Sequence, residues 1–271
     1  MKNKIDLKLP IALDRYIERI KKSIKPYVEI KGRLGSTLPW ESKFRGLPYM
    51  PIGFEYPKDS KGEPMILLAQ INYSEVPHIE PFPEKGILQF YICKNDDTYG
   101  LNWNNLTEQK DFRVIYFPDV VEDIFELVSD FNFIENIDVD MLPIQEEVKL
   151  EFNIKYSPVT SGDFQFDKLI GKSLFNIIDE ALTDSNNAED EDKLYDTFSL
   201  AGHRMGGYAF FTQCDPREGS HEDHKTLLLQ VGSDSDIYIM WGDVGVANLF
   251  IKESDLKSLD FSNVLYTWDC C

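Results

Sequence analysis

Two stretches set far apart in this chain follow the same plan, and any fold it adopts has to accommodate that plan twice. The first opens Lys43-Phe44-Arg45-Gly46 and later closes the apolar run Leu67-Leu68-Ala69 with Gln70. The second opens Arg204-Met205-Gly206-Gly207 and closes Leu227-Leu228-Leu229 with Gln230. Gly46 lies 24 residues before Gln70, and Gly207 lies 23 residues before Gln230. Matched spacing of this kind predicts one supersecondary unit used twice. We therefore expect two related halves, 1–150 and 151–271, meeting across one core, as two modules or as one compact domain.

The segments between these landmarks read mostly as short strands. A first helix is predicted over 10–25, where Leu13, Tyr16, Ile17, Ile20 and Ile24 recur at helical spacing and Pro26 stops it. Strands are predicted over 27–31, 65–71, 86–93, 112–117 and 148–156, the last with the clearest apolar–polar alternation. The region 32–64 carries Gly or Pro every few residues, which excludes long helices. A helix lies within 164–182, and the acidic stretch 184–192 reads as a mobile surface loop. Further strands are predicted over 208–213, 226–231, 237–241 and 247–251, with a tight turn at 242–245. The expected class is α+β with β predominating, roll-like, built of short, mostly antiparallel strands and two or three helices.

Composition narrows the partners. The chain has 271 residues, enough for a substantial core, and its 18 Phe and 13 Tyr favour pleated, half-buried surfaces. A formal net charge of −19 disfavours nucleic acid and anionic membranes, which require the opposite sign, and leaves a basic protein as the compatible macromolecular partner. Lys2, Lys4, Asp6 and Lys8 deny the N-terminus a secretory apolar core, and the apolar runs are too short for a membrane span. Cys93, Cys214, Cys270 and Cys271 have no disulfide or zinc spacing, so the expected setting is the reduced cytoplasm, with adjacent Cys270 and Cys271 an unpaired chain end.

The chemical motifs fail one after another. Gly171-Lys172-Ser173 has the tail of a phosphate loop, but Phe166 stands where its first glycine belongs. Asp184 and Asn186 begin a calcium loop that Glu189 and Tyr195 then break. His221-Glu222-Asp223-His224 is the densest set of metal-ligand types, yet it sits between strands without a second cluster, so no metal or cofactor is assigned. The paired glutamines remain. A buried amide must satisfy its donors and its acceptor, on neighbouring backbone or on a ligand. Gln70, Gln230, Trp241 and Asp243 are accordingly the candidate ligand-binding residues, placed along a cleft between the halves; no catalytic residue is assigned.

Three runs carry a family resemblance. They are Ser42-Lys43-Phe44-Arg45-Gly46-Leu47-Pro48-Tyr49-Met50-Pro51, then Gly62-Glu63-Pro64-Met65-Ile66-Leu67-Leu68-Ala69-Gln70-Ile71-Asn72, then Gly86-Ile87-Leu88-Gln89-Phe90-Tyr91. With Trp241-Gly242-Asp243, Gly245 and Asp260-Phe261-Ser262, they resemble the YwqG-like family, a bacterial family of unknown function. Arg45 stands where that pattern leads one to expect the first glycine of a pair, which Gly206-Gly207 keeps in the second half. The resemblance implies a mostly-β roll in the bacterial cytosol and supplies no reaction, cofactor or catalytic residue. The functional expectation is a non-enzymatic cytosolic binding or regulatory protein with an acidic surface, of inhibitor or immunity type. The alternative is an enzyme or small-ligand binder with its site between the halves.

Overall fold

The computed structural model describes residues 10–94, 96–134, 137–185 and 189–271. Its core is one antiparallel sheet of ten strands. In chain order they are β1 (Lys25–Leu34), β2 (Lys43–Phe44), β3 (Ile66–Asn72), β4 (Ile87–Ile92) and β5 (Phe112–Phe117), then β6 (Val148–Ser157), β7 (His203–Gly206), β8 (Thr226–Gly232), β9 (Val246–Ile251) and β10 (Leu265–Asp269). Across the sheet they lie β10-β9-β8-β7-β1-β6-β2-β3-β4-β5. The sheet curls into a nearly closed barrel. Its two edges meet where Tyr266 N–H donates to the Leu106 carbonyl at 2.9 Å and Gln109 Nε2 donates to the Phe261 carbonyl at 2.6 Å. The interior is filled by residues such as Val28, Phe44, Leu68, Phe90, Leu228 and Phe250.

Among the described residues five α-helices accompany the sheet: α1 (Ile17–Ser23), α2 (Phe166–Ile170), α3 (Leu174–Ser185), α4 (Glu189–Phe198) and α5 (Glu253–Lys257). Leu174, Ile177, Ile178 and Ala181 recur at helical spacing along α3, and they bury against Leu13, Ile20, Phe166 and Phe198 in a second apolar cluster. With all but one of the helices at ten residues or fewer, the fold is more strongly β than the expected α+β class.

Several expected elements differ. The single helix anticipated over 164–182 is two, because Gly171 takes a left-handed conformation (φ 86°) at the end of α2. The acidic stretch expected to form a loop contributes its ends to α3 and α4, while 186–188 lie outside the described residues, as does the 1–9 segment. The short strands β2, β7 and β10 and the helices α4 and α5 lie outside the expected elements. Of the strand expected over 237–241, what forms is a 3₁₀ turn at Ser235–Ile237 and isolated bridges at Ile239. The run 208–213 is not a strand either, and the reason is instructive. Phe210 N–H donates to Gln230 Oε1 at 2.8 Å, and its carbonyl accepts from Asn248 Nδ2 at 2.9 Å. Side-chain amides take the place that a neighbouring strand would fill.

The same device recurs at Tyr49, whose N–H donates to Gln70 Oε1 at 2.7 Å and whose carbonyl accepts from Gln89 Nε2 at 2.7 Å. The correspondence extends along the sheet. Lys43 faces Gln70 across β2–β3, and Arg204 faces Gln230 across β7–β8. The β3–β4 register slips between Leu67 and Ala69, and the β8–β9 register slips between Leu227 and Leu229. Arg45 adopts the left-handed backbone (φ 54°) that Gly206 adopts (φ 71°), each followed by a glycine of positive φ. The missing glycine of the first turn is thus replaced without change of path, at a cost of about 1 kcal/mol for the non-glycine residue.

Candidate functional site

β1 and β6 pair over ten residues, and on their other edges β6 pairs with β2, and β1 with β7. The β1–β7 ladder sets Tyr27 opposite Gly206, Glu29 opposite Arg204 and Ile30 opposite His203. Successive strand residues leave on opposite faces. Arg204 therefore shares a face with Tyr27 and Glu29, while Met205 joins Val28 in the barrel interior. Gly207 is required beside this ladder, since a Cβ there would come within 2.9 Å of the Tyr27 Cβ.

A cavity of about 380 Å³ opens where this ladder meets the 200–202 loop and the turn at Asp234, and its walls include Tyr27, Glu29, Lys31, His203, Arg204 and Asp234. Arg204 is 3% exposed. Its guanidinium carbon lies 4.9 Å from the centre of the Tyr27 ring, and Nη2 donates to the Ala201 carbonyl at 2.6 Å. Nε and Nη1 are buried without a hydrogen-bond partner, and among the described residues no carboxylate is within ion-pair distance. Burial pushes its pKa down to about 10, with Tyr27 and then Glu29 opposing that shift. An uncompensated buried charge costs several kcal/mol. This cavity therefore holds a cation in want of an anion.

His203 is 6% exposed, packs edge-on against Phe44 at 5.1 Å between ring centres, and has neither ring nitrogen hydrogen-bonded. Burial lowers its pKa to about 4, against the attraction of Asp234, whose Oδ2 lies 3.6 Å from Nε2. The imidazole is accordingly neutral at physiological pH. The Glu29 carboxylate has its nearest cation, Lys31, at 3.9 Å. Asp234 uses Oδ1 to accept from Asp236 N–H at 3.1 Å, capping the turn.

The first of the two matching stretches places its cation differently. Lys43, 1% exposed, occupies the position matching Arg204, but its Nζ donates to the carbonyls of Leu38 at 2.9 Å and Leu47 at 3.1 Å. Burial still lowers its pKa to about 8. Backbone thus answers Lys43, whereas two of the Arg204 nitrogens go unanswered.

The residues expected to bind a ligand lie elsewhere. Gln70 and Gln230 are 0% exposed and are separated in the sheet by four strands. Gln70 Nε2 donates to the carbonyls of Pro39 and Glu41 at 2.7 and 2.8 Å, and Gln230 Nε2 to those of Leu200 and Gly202 at 3.2 and 2.9 Å. Both amides therefore join backbone to backbone. Trp241 is fully buried near Tyr99 and Trp268, with its Nε1 unpartnered, while Asp243 is exposed on the following turn. None of the four lines the cavity at Arg204. His224 faces Asp223 Oδ1 through Nδ1 at 2.9 Å and the Asn263 carbonyl through Nε2 at 3.0 Å, so both ring nitrogens are engaged. Among the described residues no three His, Cys, Asp or Glu side chains gather as metal ligands. All four cysteines are free, and no helix among the described residues is long and apolar enough to cross a membrane.

Sequence reasoning missed the cavity although it singled out Arg204 as the cation that opens the second stretch. The available signal was the pair His203-Arg204 followed, after Met205, by two glycines; what hid it was that Glu29 and Asp234 come to the same cavity from remote segments. Residues 42–270 match the family model described as "Domain of unknown function (DUF1963)". None of the curated proteins compared with the chain matches it.

Proposed function

We propose that this chain, which belongs to the DUF1963 family of domains of unknown function, is a non-enzymatic binding protein whose ligand is a small acidic molecule seated at Arg204. The observation that carries the reading is the buried guanidinium with two unpartnered nitrogens and, among the described residues, no carboxylate within ion-pair distance, lining a cavity of ligand size. Buried charges are ordinarily paired, and a carboxylate or phosphate group supplies the missing pair. The cavity lies where β1 of the first half meets β7 of the second, so a site between the halves is retained with other residues on its walls. Within the family we place the chain in the YwqG-like group on the residue runs quoted above. We also read the halves as copies of one module that exchange their first strands, on the strength of the matched register slips, the matched glutamines and the matched left-handed turns.

Titration of the whole protein with acetate, inorganic phosphate and sulfate, followed by amide NMR, tests the proposal. Shifts should concentrate in residues 27–32, 200–204 and 234, and should vanish in Arg204→Met. Absence of such shifts for all three anions at millimolar concentration overturns it.

A further inference from the structure

The walls of this cavity carry both signs of charge without letting them meet. Arg204, Glu29 and Asp234 all line it, yet neither carboxylate is within ion-pair distance of the guanidinium. Nor are the carboxylates strongly matched by other cations. Glu29 has only the exposed Lys31 at 3.9 Å, and Asp234 Oδ2 faces His203 at 3.6 Å, beyond hydrogen-bond reach and neutral at physiological pH. Glu29 and Asp234 keep part of their surface in solvent at the mouth of this half-open cavity, while the guanidinium lies buried in its wall. A fold that keeps them separate presents two complementary half-sites, one for an anionic group and one for a cationic group.

Resting on the anion site argued above, we propose that the ligand is a zwitterion, with its carboxylate at Arg204 and a primary ammonium at Glu29 and Asp234. An ammonium donates three hydrogen bonds, which two carboxylates with free oxygens can accept. A volume of about 380 Å³ suits a free amino acid or a very short peptide. Tyr27 closes the aromatic side of the guanidinium and holds it in place for the incoming carboxylate.

Calorimetric titration of the full chain decides the matter with glycine, 4-aminobutanoate and L-lysine, which differ in the separation of ammonium and carboxylate, each compared with its α- or ω-N-acetyl derivative and its amide. At least one amino acid should bind ten-fold or more tightly than both derivatives. Asp234→Asn keeps an oxygen to cap the Asp236 N–H, and it and Glu29→Gln should each narrow the ratio to the acetylated form while leaving the ratio to the amide intact. If the acetylated compound binds as well as its parent, the zwitterion assignment falls and the anion site stands. If none of the compounds binds, the zwitterion assignment falls and the anion site is judged by acetate, phosphate and sulfate alone; if the amide binds as well as its parent, both readings fall.

Discussion

Replacing Arg204 with methionine separates a residue kept for binding from one kept for stability. Burial lowers the guanidinium pKa from 12.5 to about 10, so at neutral pH the charged form is less favourable in the fold than in the unfolded chain. At about 1.4 kcal/mol per pKa unit, holding that charge costs about 3 kcal/mol. Methionine keeps the unbranched stem and removes the charge. Against that gain stand the hydrogen bond to the Ala201 carbonyl, worth about 2 kcal/mol for a charged donor, and the contact with Tyr27, worth about 1 kcal/mol. The opposing effects nearly cancel. Urea unfolding at pH 7 in a buffer without small anions should therefore place Arg204→Met within about 1 kcal/mol of the parent, with an unchanged slope. Added ligand anion should then stabilise the parent alone, because only a folded state that binds is favoured by mass action. A loss of about 3 kcal/mol or more, the range for breaking a compensated buried pair, would refute the view that this charge lacks an internal partner.

Arg217 supplies the opposite case, since it is 1% exposed, lies between Asp163 and Asp215 at 2.9 and 2.6 Å, and stacks 3.7 Å from the centre of the Phe250 ring. Arg217→Met leaves two buried carboxylates unmatched and should cost about 3–5 kcal/mol in the same unfolding assay; a loss below about 1 kcal/mol would remove this network from the account of what holds the fold. Gln70→Leu and Gln230→Leu each strand one backbone N–H and two carbonyls, and Gln70→Leu also removes the acceptor of the buried Gln89 Nε2, so each should cost on the order of 3 kcal/mol, with the Gln70 loss the larger by no more than about 1 kcal/mol. Clearly unequal losses would show that the amides do different work. His203 has a folded-state pKa of about 4 against 6.5 when free, so the unfolded chain binds the proton first as pH falls. Stability is full above pH 6.5 and should decline by about 3 kcal/mol as pH drops towards 4, and His203→Gln should remove that share of the slope; an identical pH profile for the variant would contradict it.

Much of the strand content was readable because it rests on local alternation and apolar runs. The predicted strand over 112–117 coincides with β5, and that over 148–156 falls one residue short of β6. The short strands escaped notice for an equally local reason. Lys43-Phe44 is two residues long, and His203–Gly206 carries two buried cationic side-chain types that no pattern of alternation would favour. The run 208–213 has the composition of a strand, but Gln230 and Asn248 bind its backbone from the side. The glutamines were recognisable as buried amides; that their Nε2 donors meet backbone is decided by loops about thirty residues upstream of each, at Pro39 and Glu41 and at Leu200 and Gly202.

What the sequence by itself determined is the pair of matching stretches, each with a cation, a glycine-bearing turn and an apolar run ending in an amide, because periodicity and spacing are written along the chain. Only the tertiary structure decided that β1 crosses to pair with β7, and with that pairing it decided which of the two buried cations finds an internal partner. Lys43 is met by carbonyls of its own neighbourhood, while Arg204 is left facing a cavity. The physical reason is that a charge is judged by its surroundings in three dimensions, and those surroundings are assembled from segments as distant as Tyr27, Ala201 and Asp234.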